Sequence, residues 1–190
     1  HFYEYVFSVE GSSQKYIAIG HSLGTYIWIN MLSSYSDIEI DALVLISGGT
    51  VNNLNTLKTI KENSRYFSHI NKLKAFLSIF NHNVKPIHIV FPDIPQLEKS
   101  GFVQDYGFSF FSMFRDSEDR FKTFYQNTNI PIMMISGSQD ELFAPEKIEE
   151  SYNLIKNKKF ISLKDKTHTS IIWNTGSYIN SWLENHFQTK

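Results

Sequence analysis

The sequence predicts an α/β protein built on a mostly parallel sheet with helices on both faces. Apolar runs of strand length alternate with longer segments of helical spacing, which is the pattern of successive β-α units. The runs typical of buried strands are residues 16–19, 42–47, 130–135 and 159–163. With 190 residues, of which 42% are hydrophobic, the chain is large enough for one domain that carries an inserted smaller unit.

The first junction between a predicted strand and a predicted helix has the sequence Gly20-His21-Ser22-Leu23-Gly24. A serine between two glycines at such a junction is the G-x-S-x-G pattern of a nucleophile elbow. The serine there lies on a tight, strained turn that exposes its hydroxyl, and we expect both glycines to be needed because a Cβ atom would block the close approach. The other interpretation is an ordinary turn whose serine caps the helix.

Two further polar side chains follow later predicted strands. Asp140 comes three residues after Gly137, beyond the run 130–135, and His168 lies in the polar loop that follows the run 159–163. Functional groups of open α/β sheets gather at the carboxyl ends of the strands. A hydroxyl, an imidazole and a carboxylate at that edge can act together in nucleophilic catalysis.

In these motifs and in their order along the chain, the sequence resembles the serine α/β-hydrolases. The resemblance is carried by residues 13–50 and 128–188. It implies an α/β-hydrolase fold in which Ser22 is the nucleophile, Asp140 is the triad acid and His168 is the base.

The chain departs from that family ahead of the nucleophile, because only 21 residues precede Ser22. The resemblance implies that the backbone N–H of Leu23 is one oxyanion-hole donor and that a loop after the third strand supplies the second. We therefore expect the N-terminal strands of the fold to be missing here, and the N-terminal half of the same protein to supply them with the second donor. Residues 1–10 are predicted to be the end of the helix before the nucleophile strand.

Each predicted site residue has a second interpretation. Asp140 fits an ordinary turn residue, and Asp165 competes with it for the role of the acid. We favour Asp140. An acid three residues before the base, in the same short loop, is poorly placed to reach the far side of the imidazole ring. His168 fits a solvated surface histidine, and His21 is interpreted as a packing neighbour rather than a base.

The organisation predicted is a hydrolase core over residues 1–51 and 129–190 with a helical cap inserted at 52–128. The insertion contains 11 of the 16 phenylalanines, which fits either an apolar lid over an acyl pocket or the small core of a helical subdomain. Helices are predicted at residues 54–64, 68–80, 116–125 and 171–187, and from Pro145 to about residue 155. The last helix of the chain is expected to pack on the sheet through Ile172, Ile179, Trp182 and Leu183.

Composition narrows the functional class. The net charge of −1 does not favour a nucleic-acid partner, and no apolar run is long enough to span a bilayer. The chain has no cysteine, and its histidines lack metal-ligand spacing, so we expect neither a metal nor a cofactor. No signal peptide is visible, and we expect a cytoplasmic location.

The resemblance implies a serine hydrolase of the carboxylesterase, lipase or thioesterase type, with a small to medium apolar acyl substrate. A cap-bearing peptidase or an acyltransferase would use the same three residues. A non-catalytic binding module that keeps the fold remains the alternative from another class.

Overall fold

A computed structural model describes residues 3–7, 15–55, 67–90, 105–108 and 117–187 of the chain. The chain divides into two compact units, one formed by residues 1–55 and 117–190 and the other by residues 56–116. The first unit contains all the residues at which the sequence predicts chemistry.

The first unit is built on a five-stranded sheet in the order β1-β2-β3-β7-β8. The strands β2, β3, β7 and β8 are parallel to one another, and β1 pairs antiparallel with β2 at one edge. The prediction of a mostly parallel α/β sheet is confirmed. The bounds of its strands are β1 Tyr3–Phe7, β2 Lys15–His21, β3 Ala42–Ile46, β7 Ile132–Gly137 and β8 Lys158–Leu163.

The strand β1 overturns one prediction, because residues 1–10 were expected to belong to a helix. The segment Tyr3–Phe7 is rich in aromatic and β-branched residues, which favour extended backbone. It pairs with β2 from Tyr3 opposite Ile19 to Phe7 opposite Lys15. So short a segment does not reveal a period, and pairing with a strand further along the chain decides its conformation.

Helices pack on both faces of this sheet. On one face, Ile179 and Leu183 join a buried cluster with strand residues such as Val44 and Met133. On the other face α1 lies against β2, and α3 packs on α1 through Tyr26 and Phe121, whose ring centroids are 5.1 Å apart. The helices are α1 Leu23–Ser34, α3 Ser117–Asn127, α4 Pro145–Tyr152 and α5 Gly176–Phe187.

The last predicted helix is divided in the structure. Residues Ser170–Asn174 form a 3-10 helix, and α5 begins only at Gly176. Within the first segment Ile171 is fully buried, whereas Ile172, which we expected on the packed face, is 37% exposed. The break changes the phase of the helix, so a single helical period over 171–187 places Ile172 wrongly.

In its described residues, 67–90 and 105–108, the second unit contains a three-stranded antiparallel sheet, β4-β5-β6, and a short helix, α2. The predicted helix over 68–80 is therefore right only for α2, and the expectation of a purely helical insertion is wrong. Most of the predicted helix 54–64 lies outside the described residues, while the one at 116–125 is confirmed as α3 of the first unit. The bounds are β4 Phe67–Ile70, α2 Lys72–Leu77, β5 Ile87–Val90 and β6 Asp105–Tyr106.

The register of the parallel strands gathers their carboxyl ends at one edge of the sheet. His21 at the end of β2 lies opposite Ile46, and Gly137 at the end of β7 lies opposite Leu163 at the end of β8. The loops that follow these strands therefore start side by side. None of the helices in the described ranges has the length and hydropathy needed to cross a bilayer.

Candidate active site

Ser22 occupies the sharp turn between β2 and α1. Its backbone has φ 54° and ψ −117°, a strained conformation for a residue with a side chain. The turn is held by the Ser22 N–H, which donates to Ile46 O at 2.9 Å, and by the Ser22 carbonyl, which accepts from Thr25 N at 3.1 Å. The Ser22 side chain makes no capping hydrogen bond to α1, so the interpretation as an ordinary N-cap is wrong.

The two glycines of the elbow have different roles. A Cβ atom on Gly20 would lie 2.6 Å from the carbonyl carbon of Gly24, so Gly20 is needed for the close contact between strand and helix. A Cβ atom on Gly24 itself would meet nothing within 4 Å, and the expectation that it relieves a clash is wrong. Gly48 beyond β3 also supports the turn, because a Cβ there would lie 2.6 Å from Ser22 O.

His168 lies in the loop after β8 and contacts both other predicted residues. Its Nε2 is 2.9 Å from Ser22 Oγ, and its Nδ1 is 3.2 Å and 3.1 Å from the two carboxylate oxygens of Asp140. His168 is only 4% exposed, so it is not a solvated surface histidine. Because a carboxylate only accepts, Nδ1 carries the proton, and Nε2 is left to accept from the serine hydroxyl.

Asp140 is held by the turn that it begins. Its Oδ1 accepts hydrogen bonds from the N–H groups of Leu142 and Phe143, each at 2.9 Å, and the side chain is fully buried. The turn interpretation and the site interpretation therefore apply to the same carboxylate.

The carboxyl group of Asp140 has its pKa shifted by competing effects. Burial raises the pKa, but the hydrogen bond and charge of His168 and the hydrogen bond from the Phe143 N–H outweigh it, so the pKa lies below its usual range. Asp140 is therefore ionised at neutral pH, as an anion that orients and stabilises an imidazolium must be.

Asp165, the rival acid, is directed elsewhere. It is exposed, its φ is 57°, and its N–H donates to Ser138 Oγ at 2.9 Å. Its Oδ1 lies 3.4 Å from Gln139 Nε2. The carboxylate that His168 Nδ1 contacts belongs to Asp140, in agreement with the preference for that residue.

Further side chains contact His168; of these, the sequence predicts only His21, as a packing neighbour. His21 Nε2 lies 2.8 Å from His168 O, Glu141 Oε2 accepts from His168 N at 3.0 Å, and the Phe143 ring stacks on the imidazole at 5.7 Å. For His21 and Glu141 the signal in the sequence is adjacency, because His21 precedes Ser22 and Glu141 follows Asp140.

Two further features of the site are a backbone N–H group and the question of a metal ion. Leu23 is the first residue of α1. Its N–H therefore belongs to the first turn, whose N–H groups have no acceptor within the helix. Among the residues that the structure describes, no group of three or more His, Cys, Asp or Glu side chains could hold a metal ion.

Comparison with known proteins gives a result at the level of structure. No family model matches the sequence, and no curated protein matches it. Similar solved structures include a monoacylglycerol lipase of Paleococcus ferrophilus, with 19% identity and a TM-score of 0.58 over 90% of this chain and 69% of that one. A thermophilic esterase of Thermogutta terrifontis has 15% identity and a TM-score of 0.58 over 90% of this chain and 65% of that one.

A putative non-heme bromoperoxidase of Mycobacterium tuberculosis has 13% identity and a TM-score of 0.57 over 92% of this chain and 67% of that one. The chain thus spans about two thirds of the length of these proteins. At such identities the likeness concerns the fold and not the reaction. On its sheet order and these structural neighbours, the chain has the α/β-hydrolase fold.

Proposed function

We propose that this chain is the part of a serine hydrolase that carries the catalytic triad, and that it cleaves an ester or thioester through an acyl-enzyme. Ser22 is the nucleophile, His168 the general base and acid, and Asp140 the carboxylate that orients it. The observation that carries the proposal is the 2.9 Å contact between His168 Nε2 and Ser22 Oγ, with a buried carboxylate at Nδ1.

In the proposed reaction Ser22 Oγ attacks the acyl carbon while its proton passes to His168 Nε2. The carbonyl oxygen becomes an oxyanion, and the N–H of Leu23 at the start of α1 donates to it. His168 then gives its proton to the leaving alcohol or thiol, and the acyl group stays on Ser22. A water molecule attacks this ester with His168 again as the base, which releases the acid and restores the serine.

The proposed acyl group is small to medium and apolar. One contact in this chain and one comparison support that class. The Phe143 ring stacks against the imidazole of His168, and the structural neighbours include proteins described as a lipase and an esterase. The length of the acyl chain and the nature of the leaving group are open to measurement with p-nitrophenyl and thioester substrates of increasing chain length.

A fluorophosphonate probe tests the proposal, since it labels a serine only when a neighbouring base activates it. The protein and its Ser22→Ala variant are treated with the probe, and the labelled peptide is identified by mass spectrometry. Ser33→Ala is the matched control, because Ser33 is an exposed serine near the other end of α1.

We expect labelling at Ser22, its loss in Ser22→Ala and no change in Ser33→Ala, together with loss of ester hydrolysis in the first variant alone. If the folded protein is not labelled at Ser22, or hydrolyses esters as well after Ser22→Ala, the proposal is wrong. A binding module with this fold would give the first of these results.

A further inference from the structure

The main chain of His168 is held on both of its polar groups by side chains. The carbonyl oxygen lies 2.8 Å from His21 Nε2, and the N–H donates to Glu141 Oε2 at 3.0 Å. These two side chains come from the residue before Ser22 and from the residue after Asp140. The residue before Ser22 and the residue after Asp140 thus each form a hydrogen bond to the backbone of His168.

On the basis of the proposed function, we infer that His21 and Glu141 are positioning residues, which hold the main chain of His168 so that its ring reaches Ser22 and Asp140 at once. His168 belongs to a loop and not to any of the strands in the described part of the chain. Because the residue is buried, its N–H and carbonyl need partners within the protein. His21 and Glu141 supply both.

The rings around His168 restrict it further. Its imidazole contacts the His21 ring, at a centroid distance of 4.8 Å, and the Phe143 ring, at 5.7 Å. These ring contacts limit rotation of the imidazole, while the two main-chain bonds limit movement of the loop. Together they act on the position of Nε2 relative to Ser22 Oγ, which is the distance on which proton transfer depends.

The protonation state of His21 agrees with this role. A carbonyl oxygen only accepts, so the 2.8 Å contact requires a proton on His21 Nε2. Burial first, and then the charge on His168, lower the pKa of His21 to about 4, so the ring is a neutral donor at neutral pH. A neutral ring also spares the neighbouring imidazolium the repulsion of a second cation during turnover.

Paired variants separate the hydrogen bond from the size of the side chain. His21→Gln keeps an N–H donor near the position of Nε2, whereas His21→Phe keeps a ring and removes the donor. Glu141→Gln keeps an acceptor for the His168 N–H and removes only the charge, whereas Glu141→Leu removes the acceptor. His21→Asn, whose amide is too short to reach the carbonyl, is a second donor-loss variant in case His21→Phe does not fold.

Turnover of an ester is measured for each variant per active site, with kcat and KM determined separately. We expect the donor-loss and acceptor-loss variants to lower kcat by about 10- to 100-fold with KM within about twofold, since a misplacement approaching 1 Å costs about that much. Both Gln variants should stay within about threefold of the wild type. Circular dichroism checks that the compared variants are folded.

The inference is overturned if folded His21→Phe or His21→Asn, together with Glu141→Leu, turn over like the wild type. It is also overturned if the Gln variants lose as much activity as the apolar ones, or if the change falls on KM. Failure of the proposed function gives a different result, because the wild type would then hydrolyse no ester, or Ser22→Ala would keep the wild-type rate.

Discussion

The two glycines of the nucleophile elbow make a matched pair, since one substitution should have opposite effects at the two positions. A Cβ atom on Gly20 would lie 2.6 Å and 2.7 Å from the carbonyl carbon and oxygen of Gly24, and 2.7 Å from Thr25 N. A Cβ atom on Gly24 would have open space around it. We predict that Gly20→Ala is damaging and that Gly24→Ala is tolerated.

The size of the effect expected for Gly20→Ala follows from these contacts. To lengthen the shortest one from 2.6 Å to an ordinary 3.4 Å, β2 and α1 must separate by about 0.8 Å, because backbone atoms cannot rotate away. Overpacking of this kind costs about 1–3 kcal/mol of unfolding free energy. A shift of Ser22 of that size should lower kcat roughly 100-fold. Gly24 lies in α1, where alanine adds up to about 1 kcal/mol of stability.

Urea unfolding of the wild type and the two variants gives the free energies, and ester hydrolysis gives kcat. The expected order of stability is Gly24→Ala, then wild type, then Gly20→Ala. Equal stability of the two variants, or a lower stability for Gly24→Ala, would refute the assignment of the close contact to Gly20.

Three further predictions follow from the site. Asp140→Asn should lower kcat by up to about 10⁴-fold, because an amide at His168 Nδ1 favours the wrong tautomer, whereas Asp165→Asn should be nearly neutral; the reverse result would move the acid to Asp165. Burial and the charge on His168 lower the pKa of His21 from 6.5 to about 4. The His21 ring therefore binds a second proton more readily in the unfolded state than in the folded state. About 3 kcal/mol of unfolding free energy should therefore be lost as the pH falls from about 6.5 to about 4. When the free energy of urea unfolding is measured against pH, His21→Gln should lack this part of the decrease. Gly137→Ala would place a Cβ 2.2 Å from the carbonyl oxygen of Lys166, two residues before His168, so it should lower both Tm and kcat; a wild-type Tm would contradict the contact.

The sequence predicted best those elements that combine a strong period with boundary residues. The strands β2, β3, β7 and β8 are apolar runs that end at Gly, Ser or polar residues, and α4 begins at Pro145. The errors in strands occurred where the conformation of a short segment depends on pairing with another strand. The segments Tyr3–Phe7 and Phe67–Ile70 are strands because β2 and β5 lie beside them, and no local pattern encodes that.

By itself, the sequence determined the types of the reactive groups and their places at the ends of strands, since a parallel sheet brings those ends to one edge whatever the details of packing. Only the tertiary structure decided which acid faces His168, that the Ser22 side chain does not cap α1, and that His21 and Glu141 bind the backbone of the histidine. The physical reason is that hydrogen bonds and ring contacts depend on distances of a few tenths of an ångström, which packing sets and chain order does not.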